Sequence, residues 1–578
     1  MDEKWRLTFI FAALLLVGGA ILFKLYLLQI VSHSYYSSLS EKQHSSSKNF
    51  PPKRGEIFFQ DKSGKPRLAA ATKNGYLIYI NPKELEKSKS DYEKVYLRIS
   101  EIMNGKNEIL TKDEFLALAG KKNDPFEVFA HKVEKDIADK INKLSIKGIG
   151  AAPESWRYYP ASSLASQILG FVGYNGDKLQ GRYGAEETYE DVLSGRSDYL
   201  KNDGFVENFL GFGKKFFLPP SEGNDLILTI EPAVQIFFEK KLGEALEKYG
   251  AEKAGGIILN PKTGKILAMA SRPDFDPNRY YEIKNFEKFK NPSIQNIYEF
   301  GSVIKPLTVA AGLDAGAITR NTTYFDRGFV KIGSYEIKNF DEKGRGKADI
   351  QKILNESLNT GAVFIQQKLG QEKFYQYFKN YGLGEKTGVN LKYEREGDLG
   401  NLAKGKEIEY ATASFGQGIA FTPLALARAL SSLANGGYLI KPYIAEKIVK
   451  SGLPDKDLKP AINVEENRVI KKETSEEITK MLVRVVDEAL LGGKIKLANY
   501  TVAAKTGTAQ ISKKDGRGYS DEYLHSFFGY APAFDPQFLI VIFLEKPKGV
   551  RYASQSLGEP FGEIMKFLLN YYETPPDR

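Results

Sequence analysis

The run from Leu7 to Val31 is apolar throughout and broken only by Lys24. It limits the chain more than any other feature. About 25 residues at ~1.5 Å rise each are enough to cross a bilayer core as a helix. Lys24 can snorkel to the outer interface, with Tyr26 beside it as an interfacial anchor. A cleaved signal peptide would have a shorter apolar core and a small-residue cleavage site, and neither is evident. A core helix would hardly begin at residue 7. Lys4 and Arg6 favour a cytoplasmic N-terminus. The expectation is a short cytoplasmic tail (1–6), a single-pass anchor in the cytoplasmic membrane (7–31), and an extracytoplasmic remainder.

A chain of 578 residues, 42% hydrophobic and 27% charged, reads as globular, with room for about two to four domains. It has no cysteine. Disulfides, thiol catalysis and Cys-ligated metals are excluded, and an exported protein gains freedom from redox control. The four histidines are His33, His44, His131 and His525. They are too scattered for a His-rich metal site, and a Ser-His-Asp triad would rest on His525 alone. The net charge of +10 is spread among acidic residues. That describes a solvated basic surface better than a nucleic-acid interface.

From residue 32 to about 222 the chain carries no catalytic cluster. Pro51-Pro52-Lys53-Arg54-Gly55 leads into a strand and turn over Glu56–Lys65. Residues 82–145 have helical periodicity, as in Tyr92–Met103 and His131–Leu144. Arg157-Tyr158-Tyr159-Pro160, Gly184-Ala185-Glu186-Glu187 and a Gly- and Phe-rich segment follow. The texture changes near residue 223. A short strand (226–230) and a helix from Pro232 to about Tyr249 precede a hairpin of strands 255–260 and 265–271. Helical segments then dominate from Ser302 to about Leu433. Strands return at 500–504, 526–531 and 538–543, and a last helix covers about 562–569. Strands at both ends of a helical body predict an α+β fold, with an antiparallel sheet whose halves lie far apart in sequence.

Three short stretches carry chemistry. Tyr298-Glu299-Phe300-Gly301-Ser302-Val303-Ile304-Lys305-Pro306 sets a hydroxyl and an amine three residues apart, on one face if a helix starts near Ser302. A serine needs a base to become a nucleophile, and a desolvated lysine can serve. Pro306 requires that both lie near the helix start. The same spacing in Ser45-Ser46-Ser47-Lys48, a polar segment, shows that S-x-x-K alone is weak. In Asn355-Glu356-Ser357-Leu358-Asn359-Thr360-Gly361, Ser357 could relay a proton and Asn359 could bind an amide. A helix N-cap explains Asn359 and Thr360 equally well. Thr501–Gln510 places Lys505, Thr506, Gly507 and Thr508 on a strand, where a cation and hydroxyls suit a carboxylate and glycine permits close approach.

K-T-G occurs three times, at Lys262, Lys386 and Lys505. Lys262 falls in the hairpin turn and Lys386 in a loop after a helix. Only Lys505 continues an apolar strand and follows both other stretches. None has the glycine spacing of a P-loop.

S-x-x-K, then S-x-N, then K-T-G is the motif order of penicillin-binding proteins and class A β-lactamases. The chain resembles these penicillin-recognising serine enzymes, and among them a class B penicillin-binding protein, a peptidoglycan D,D-transpeptidase. The likeness extends through Arg54–Asp61, Arg157–Pro160, Gly184–Glu187, Leu228-Thr229-Ile230, Ser271-Arg272-Pro273 to Asn278, and Ser414-Phe415-Gly416-Gln417-Gly418 with Thr422-Pro423. Tyr298–Ser302 is closest to the division-specific subgroup. Phe300 replaces the usual Pro, and Leu358 stands where β-lactamases have Asp. The resemblance implies a transpeptidase domain of the serine β-lactamase type over 223–578, on a pedestal and dimerisation domain over 32–222. It implies Ser302 as nucleophile and Lys305 as base, with Ser357 and Lys505 passing the proton to the leaving group. Asn359, Thr506, Gly507 and Thr508 would bind substrate, and the N–H groups of Ser302 and Thr508 would form an oxyanion hole. No metal or organic cofactor is implied. The expected partners are peptidoglycan stem peptides, β-lactams, the membrane, a lipid-linked glycosyltransferase and other division proteins. A β-lactamase or β-lactam sensor, a carboxypeptidase and a non-catalytic scaffold are the competing readings. Glu356, directly before Ser357, reads as a helix residue, not a deacylating base.

Overall fold

The computed structural model describes residues 53–103, 109–121, 124–175, 178–194, 222–450, 454–513 and 518–578, with Phe11 and Gly18 as isolated positions. The anchor expected over 7–31, the Ser45–Lys48 stretch and the Gly- and Phe-rich segment lie outside these residues. Among the described residues, no helix is long and apolar enough to cross a membrane. The chain divides into two compact units. One contains Thr72–Arg157, and the other contains Gly55–Ala71, Tyr158–Ser194 and Asn224–Arg578. This division differs from a single cut near residue 222, because local pairing ties early segments to late ones. Ile57 pairs in parallel with Leu226, and the amides of Tyr159 and Ala165 are held by Asn278 and Glu239 at 3.0 and 2.8 Å.

In the smaller unit, Val95, Ile99 and Met103 form the buried stripe of a helix spanning Tyr92–Met103, as their i, i+4 spacing predicts. The helix expected over His131–Leu144 begins only at Lys135. Residues Glu127–Val133 form a strand instead, antiparallel to Pro66–Ile80. Its pairing, Ile78 opposite Ala130 and Tyr79 opposite Val128, buries Phe129, Ala130 and Val133 and outweighs the helical pattern read from the apolar spacing.

The larger unit is built on a five-stranded antiparallel sheet. In chain order its strands are β1 (Lys253–Leu259), β2 (Ile266–Arg272), β3 (Ala503–Ser512), β4 (Tyr519–Ala531) and β5 (Phe538–Glu545). They lie side by side as β3-β4-β5-β1-β2. Leu259 faces Leu539 and Ala254 faces Leu544, so the early hairpin joins the late meander at the middle of the sheet. β5 is buried on both faces, which accounts for its unbroken apolar run. Helices α1 (Pro232–Lys248) and α7 (Ala553–Tyr571) pack on one face. Phe527 of β4 stacks on Phe561 at 4.3 Å, and Phe237 on Phe567 at 4.1 Å.

Helix α7 is longer than the expected 562–569, because it continues through Pro560. Proline inside a helix costs about 3 kcal/mol. The buried stripe of Leu557, Phe561, Ile564, Met565 and Leu568 offsets that cost. β3 likewise runs from Ala503 to Ser512, carrying Thr506-Gly507-Thr508 inside the strand. The other face supports α5 (Pro423–Ala434) and α6 (Lys472–Arg484), and α2 (Lys305–Asp314) packs against both. Between α2 and α5 in the chain lie α3 (Ile350–Asn355), α4 (Asn359–Leu369) and two small ribbons over residues 323–349.

The segment leading to Ser302 is anchored by aromatic packing. Tyr298 and Phe421 exchange backbone hydrogen bonds of 3.0 and 3.2 Å, and the fully buried Phe300 stacks on Phe421 at 5.5 Å. Phe421→Ala is expected to destabilise the protein by about 3–5 kcal/mol. Phe325→Ala, at a site 71% exposed, should shift it by no more than about 0.5 kcal/mol. Thermal unfolding of the two variants beside wild type checks both values.

Candidate active site

Ser302 lies in a 3₁₀ turn, Gly301–Ile304, that runs directly into α2 with Pro306 in the first turn. The helix start is where the hydroxyl–amine spacing and Pro306 require it. Gly301 has φ of +64°, and its N–H donates to the Gly416 carbonyl at 3.1 Å. A Cβ on Gly416 would come within 2.3 Å of the Gly301 carbonyl oxygen. From the other side, a Cβ on Gly507 would meet the Phe300 carbonyl at 2.4 Å. That carbonyl also accepts from the Ser526 hydroxyl at 2.9 Å. Two glycines thus let a loop and strand β3 close on the turn from opposite sides.

Lys305 is fully buried. Its Nζ faces three oxygens: the Ser357 carbonyl, Ser357 Oγ at 3.2 Å and Asn359 Oδ1 at 2.8 Å. Lys505 Nζ reaches the same Ser357 Oγ at 3.1 Å and the Thr506 carbonyl at 3.1 Å. Burial pushes Lys305 well below the ordinary lysine range, and the charge of Lys505 beside it pushes the same way. Burial brings Lys505 down to about 7. The three acceptors around Lys305 favour an ammonium, but desolvation is the larger effect. A neutral amine there donates to two of the oxygens. Ser357 can then accept from the Lys505 ammonium and donate its own proton to Lys305. One hydroxyl therefore connects two lysines that burial makes less basic.

Ser357 reaches this position from the turn between α3 and α4, with φ of +54°. Neither Asn359 nor Thr360 is the helix cap, since Leu358 occupies that position with no side-chain hydrogen bond. Asn359 opens α4 and is held at both ends, by Lys305 and by donation from Nδ2 to the Lys338 carbonyl at 2.9 Å. Thr360 donates to the buried Asp326 at 2.8 Å. Asp326 also accepts from Asn339 Nδ2 at 2.9 Å and from the Gly328 and Arg345 amides at 2.9 and 3.1 Å. Glu356 is tied to Arg345 at 2.5 Å and to Lys352 at 3.7 Å.

On β3 the two-residue period sets Lys505 and Gly507 on one face and Thr506 and Thr508 on the other. Thr508 Oγ1 accepts from the Ala553 amide at 3.1 Å, at the start of α7. β3 is the edge of the sheet, so the backbone groups turned away from β4 lie outside its ladder. The structure thus brings Lys305, Ser357, Asn359 and Lys505 into direct contact and packs the Ser302 turn against Gly507. The other K-T-G copies are turns. Lys262 pairs with Asp535, and the Asn260 side chain accepts from the amides of residues 262 and 263. Lys386 is exposed, with its Thr387-Gly388 amides wrapped on Glu394. His525 engages Ser556 Oγ at 2.7 Å and the Arg551 carbonyl at 3.2 Å. Both ring nitrogens are committed away from Ser302, which closes the triad reading.

Four supports went unassigned at the sequence level: Gly416, Ser526, Asp326 and Glu299. Glu299, raised by burial, accepts from the Gly418 amide at 3.1 Å and the Tyr519 hydroxyl at 2.9 Å. The Gly416-Gln417-Gly418 run was the one visible signal, since closely spaced glycines mark backbone approach.

Comparison with known proteins agrees with this arrangement. Residues 254–566 match the penicillin binding protein transpeptidase domain, and residues 49–211 match the penicillin-binding protein dimerisation domain. The chain is 32% identical to stage V sporulation protein D of Bacillus subtilis, over 93% of this chain and 81% of that one. It is 27% identical to the peptidoglycan D,D-transpeptidase FtsI of Escherichia coli, over 99% and 93%. Its fold matches the crystal structure of penicillin-binding protein 2X from Streptococcus thermophilus with a TM-score of 0.70 at 21% identity, over 91% and 81%.

Burial brings Lys505 down to about 7, so its charge is lost and acylation of Ser302 should slow as the pH rises through 7. The rate with a fluorescent acylating probe, measured from pH 6 to 10, checks this. A rate still climbing at pH 9 would show that the charge on Lys505 is not needed.

Proposed function

The chain belongs to the class B penicillin-binding proteins of the division type, and from that membership we propose how its own residues carry out the reaction. It is a peptidoglycan D,D-transpeptidase, a serine acyltransferase acting on D-Ala-D-Ala stems. In the proposed mechanism, Ser302 Oγ attacks the carbonyl of the penultimate D-Ala, and the Lys305 amine takes the hydroxyl proton. The amides of Ser302 and Thr508 stabilise the resulting oxyanion. The tetrahedral adduct collapses as the C–N bond breaks. The leaving D-Ala amine takes a proton from Ser357, which Lys505 replenishes, and the proton held by Lys305 passes through Ser357 back to Lys505. An amine from a neighbouring stem then attacks the Ser302 ester, forms the cross-link and returns the proton to the serine.

The observation that carries this reading is the Lys305–Ser357–Lys505 hydrogen-bonded chain, assembled from three distant segments. Other contacts are in keeping with it. The Thr508 hydroxyl accepts from Ala553 and so keeps its own proton for the substrate carboxylate, beside Thr506. Asn359 retains one amide N–H for the acyl chain. The free edge of β3 suits an extended peptide lying alongside it.

A β-lactam is attacked at its strained amide and stays on Ser302. Fluorescent penicillin should label the wild type and not Ser302→Ala. Lys505→Ala should acylate at least about tenfold more slowly, because a charge-assisted hydrogen bond of roughly 1.5–3 kcal/mol is lost. Lys262→Ala and Lys386→Ala should behave as wild type. Labelling of Ser302→Ala would refute the nucleophile, and rapid multiple-turnover hydrolysis would make this a β-lactamase.

The apolar run over 7–31 supports a single-pass anchor in the cytoplasmic membrane, with the enzyme outside and a role in septal synthesis beside a lipid-linked glycosyltransferase. Protease added to spheroplasts should digest everything beyond residue 31, and a protected C-terminal half would reverse that topology.

A further inference from the structure

A groove of about 480 Å³ lies between the ribbons of residues 323–349 and α4. Its floor is rigid. Tyr324 stacks on Phe364 at 5.2 Å, and the Tyr324 hydroxyl is 3.1 Å from Thr360 Oγ1, itself pinned to Asp326. Its walls expose what a fold normally hides: Phe325 is 71% and Phe329 is 41% exposed. Arg327 and Lys331 line the same groove. Among the described residues, neither cation is held in an ion pair. Exposed aromatic faces grouped in a concave site mark a binding surface.

The combination selects an occupant. A pyranose ring offers an apolar C–H face to a flat aromatic side chain. A carboxylate close to that ring would meet Arg327 and Lys331. Thr360, which lines the groove, follows Asn359 in the chain. We propose that this groove binds the glycan strand of the peptidoglycan substrate, with sugar faces on Phe325 and Phe329 and a stem-peptide carboxylate on Arg327 and Lys331. The groove would then distinguish a strand from a free peptide. This inference rests on the transpeptidase reading.

The test compares the full chain with a Phe325→Ala/Phe329→Ala double variant and with Arg327→Gln. Each is assayed with a disaccharide-linked stem peptide, with the same stem peptide lacking sugar, and with fluorescent penicillin. Acylation by penicillin, which carries no sugar, should stay within twofold of wild type and doubles as the check on folding. The kcat/KM for the sugar-linked donor should fall about tenfold in the double variant and several-fold in Arg327→Gln, and the sugar-free donor should change by less than twofold. Equal losses on both peptide donors, or no loss on the sugar-linked one, would overturn the glycan assignment. An unchanged sugar preference would mean that the aromatics serve another partner. A wild type that no penicillin acylates would instead refute the transpeptidase reading itself.

Discussion

Two buried lysines share one hydroxyl, and much of the larger unit is arranged to make that arrangement stable. Removing an ammonium from water costs several kcal/mol unless oxygens replace the solvent. Here the oxygens come from Ser357, Asn359 and Thr506. Burial lowers both lysines, the charge of Lys505 pushes Lys305 the same way, and Lys505 keeps its proton to about pH 7. A relay through Ser357 needs one lysine to accept and the other to donate. The same lysines link stability to pH. Each binds its proton more tightly in the unfolded chain, so the cost of burying Lys505 is full below about pH 7 and is relieved as the pH rises toward the ordinary lysine value.

Holding Ser357 where both lysines can reach it requires a left-handed backbone at a non-glycine residue, which costs of order 1 kcal/mol. The surroundings fix it. Leu358 donates to the Ile353 carbonyl at 3.0 Å, and Glu356 is clamped by Arg345, which also holds Asp341 at 2.8 Å. Asp326 joins the ribbons to Thr360. These contacts explain why so small a motif is surrounded by so much polar structure. Each buried carboxylate oxygen carries several donors, and each donor fixes one more piece of backbone.

What was legible in the sequence was what depends on local geometry. The Ser302–Lys305 spacing with Pro306, the strand nature of Lys505 and the Tyr92–Met103 stripe each follow from a single period. The sorting of the three K-T-G copies followed from their flanks, and the turn contacts of Lys262 and Lys386 agree with it. What could not be read was any relation set by long-range packing. Gly416 is required only because the Gly301 carbonyl lies against it. Ser526 shows its use only once β4 is in register beside Gly507. Helix α7 outlasts Pro560 because of the sheet beneath it. The helix expected over His131–Leu144 gives way to a strand because a partner strand is present. The Asn359 cap was the natural local reading, but the residue instead serves Lys305, which is 54 positions away.

The order of strands in the sheet has a consequence for biosynthesis. β1 and β2 are made early, yet β1 finds its partner β5 only when residues 538–545 have been synthesised. Lys505, the Gly507 contact and the Thr508–Ala553 bond all belong to that late segment. A nascent chain therefore carries Ser302 for some 200 residues before Lys505 is made. A product truncated anywhere in that interval has the serine without Lys505, so the complete Lys305–Ser357–Lys505 chain forms only in chains that reach the late strands.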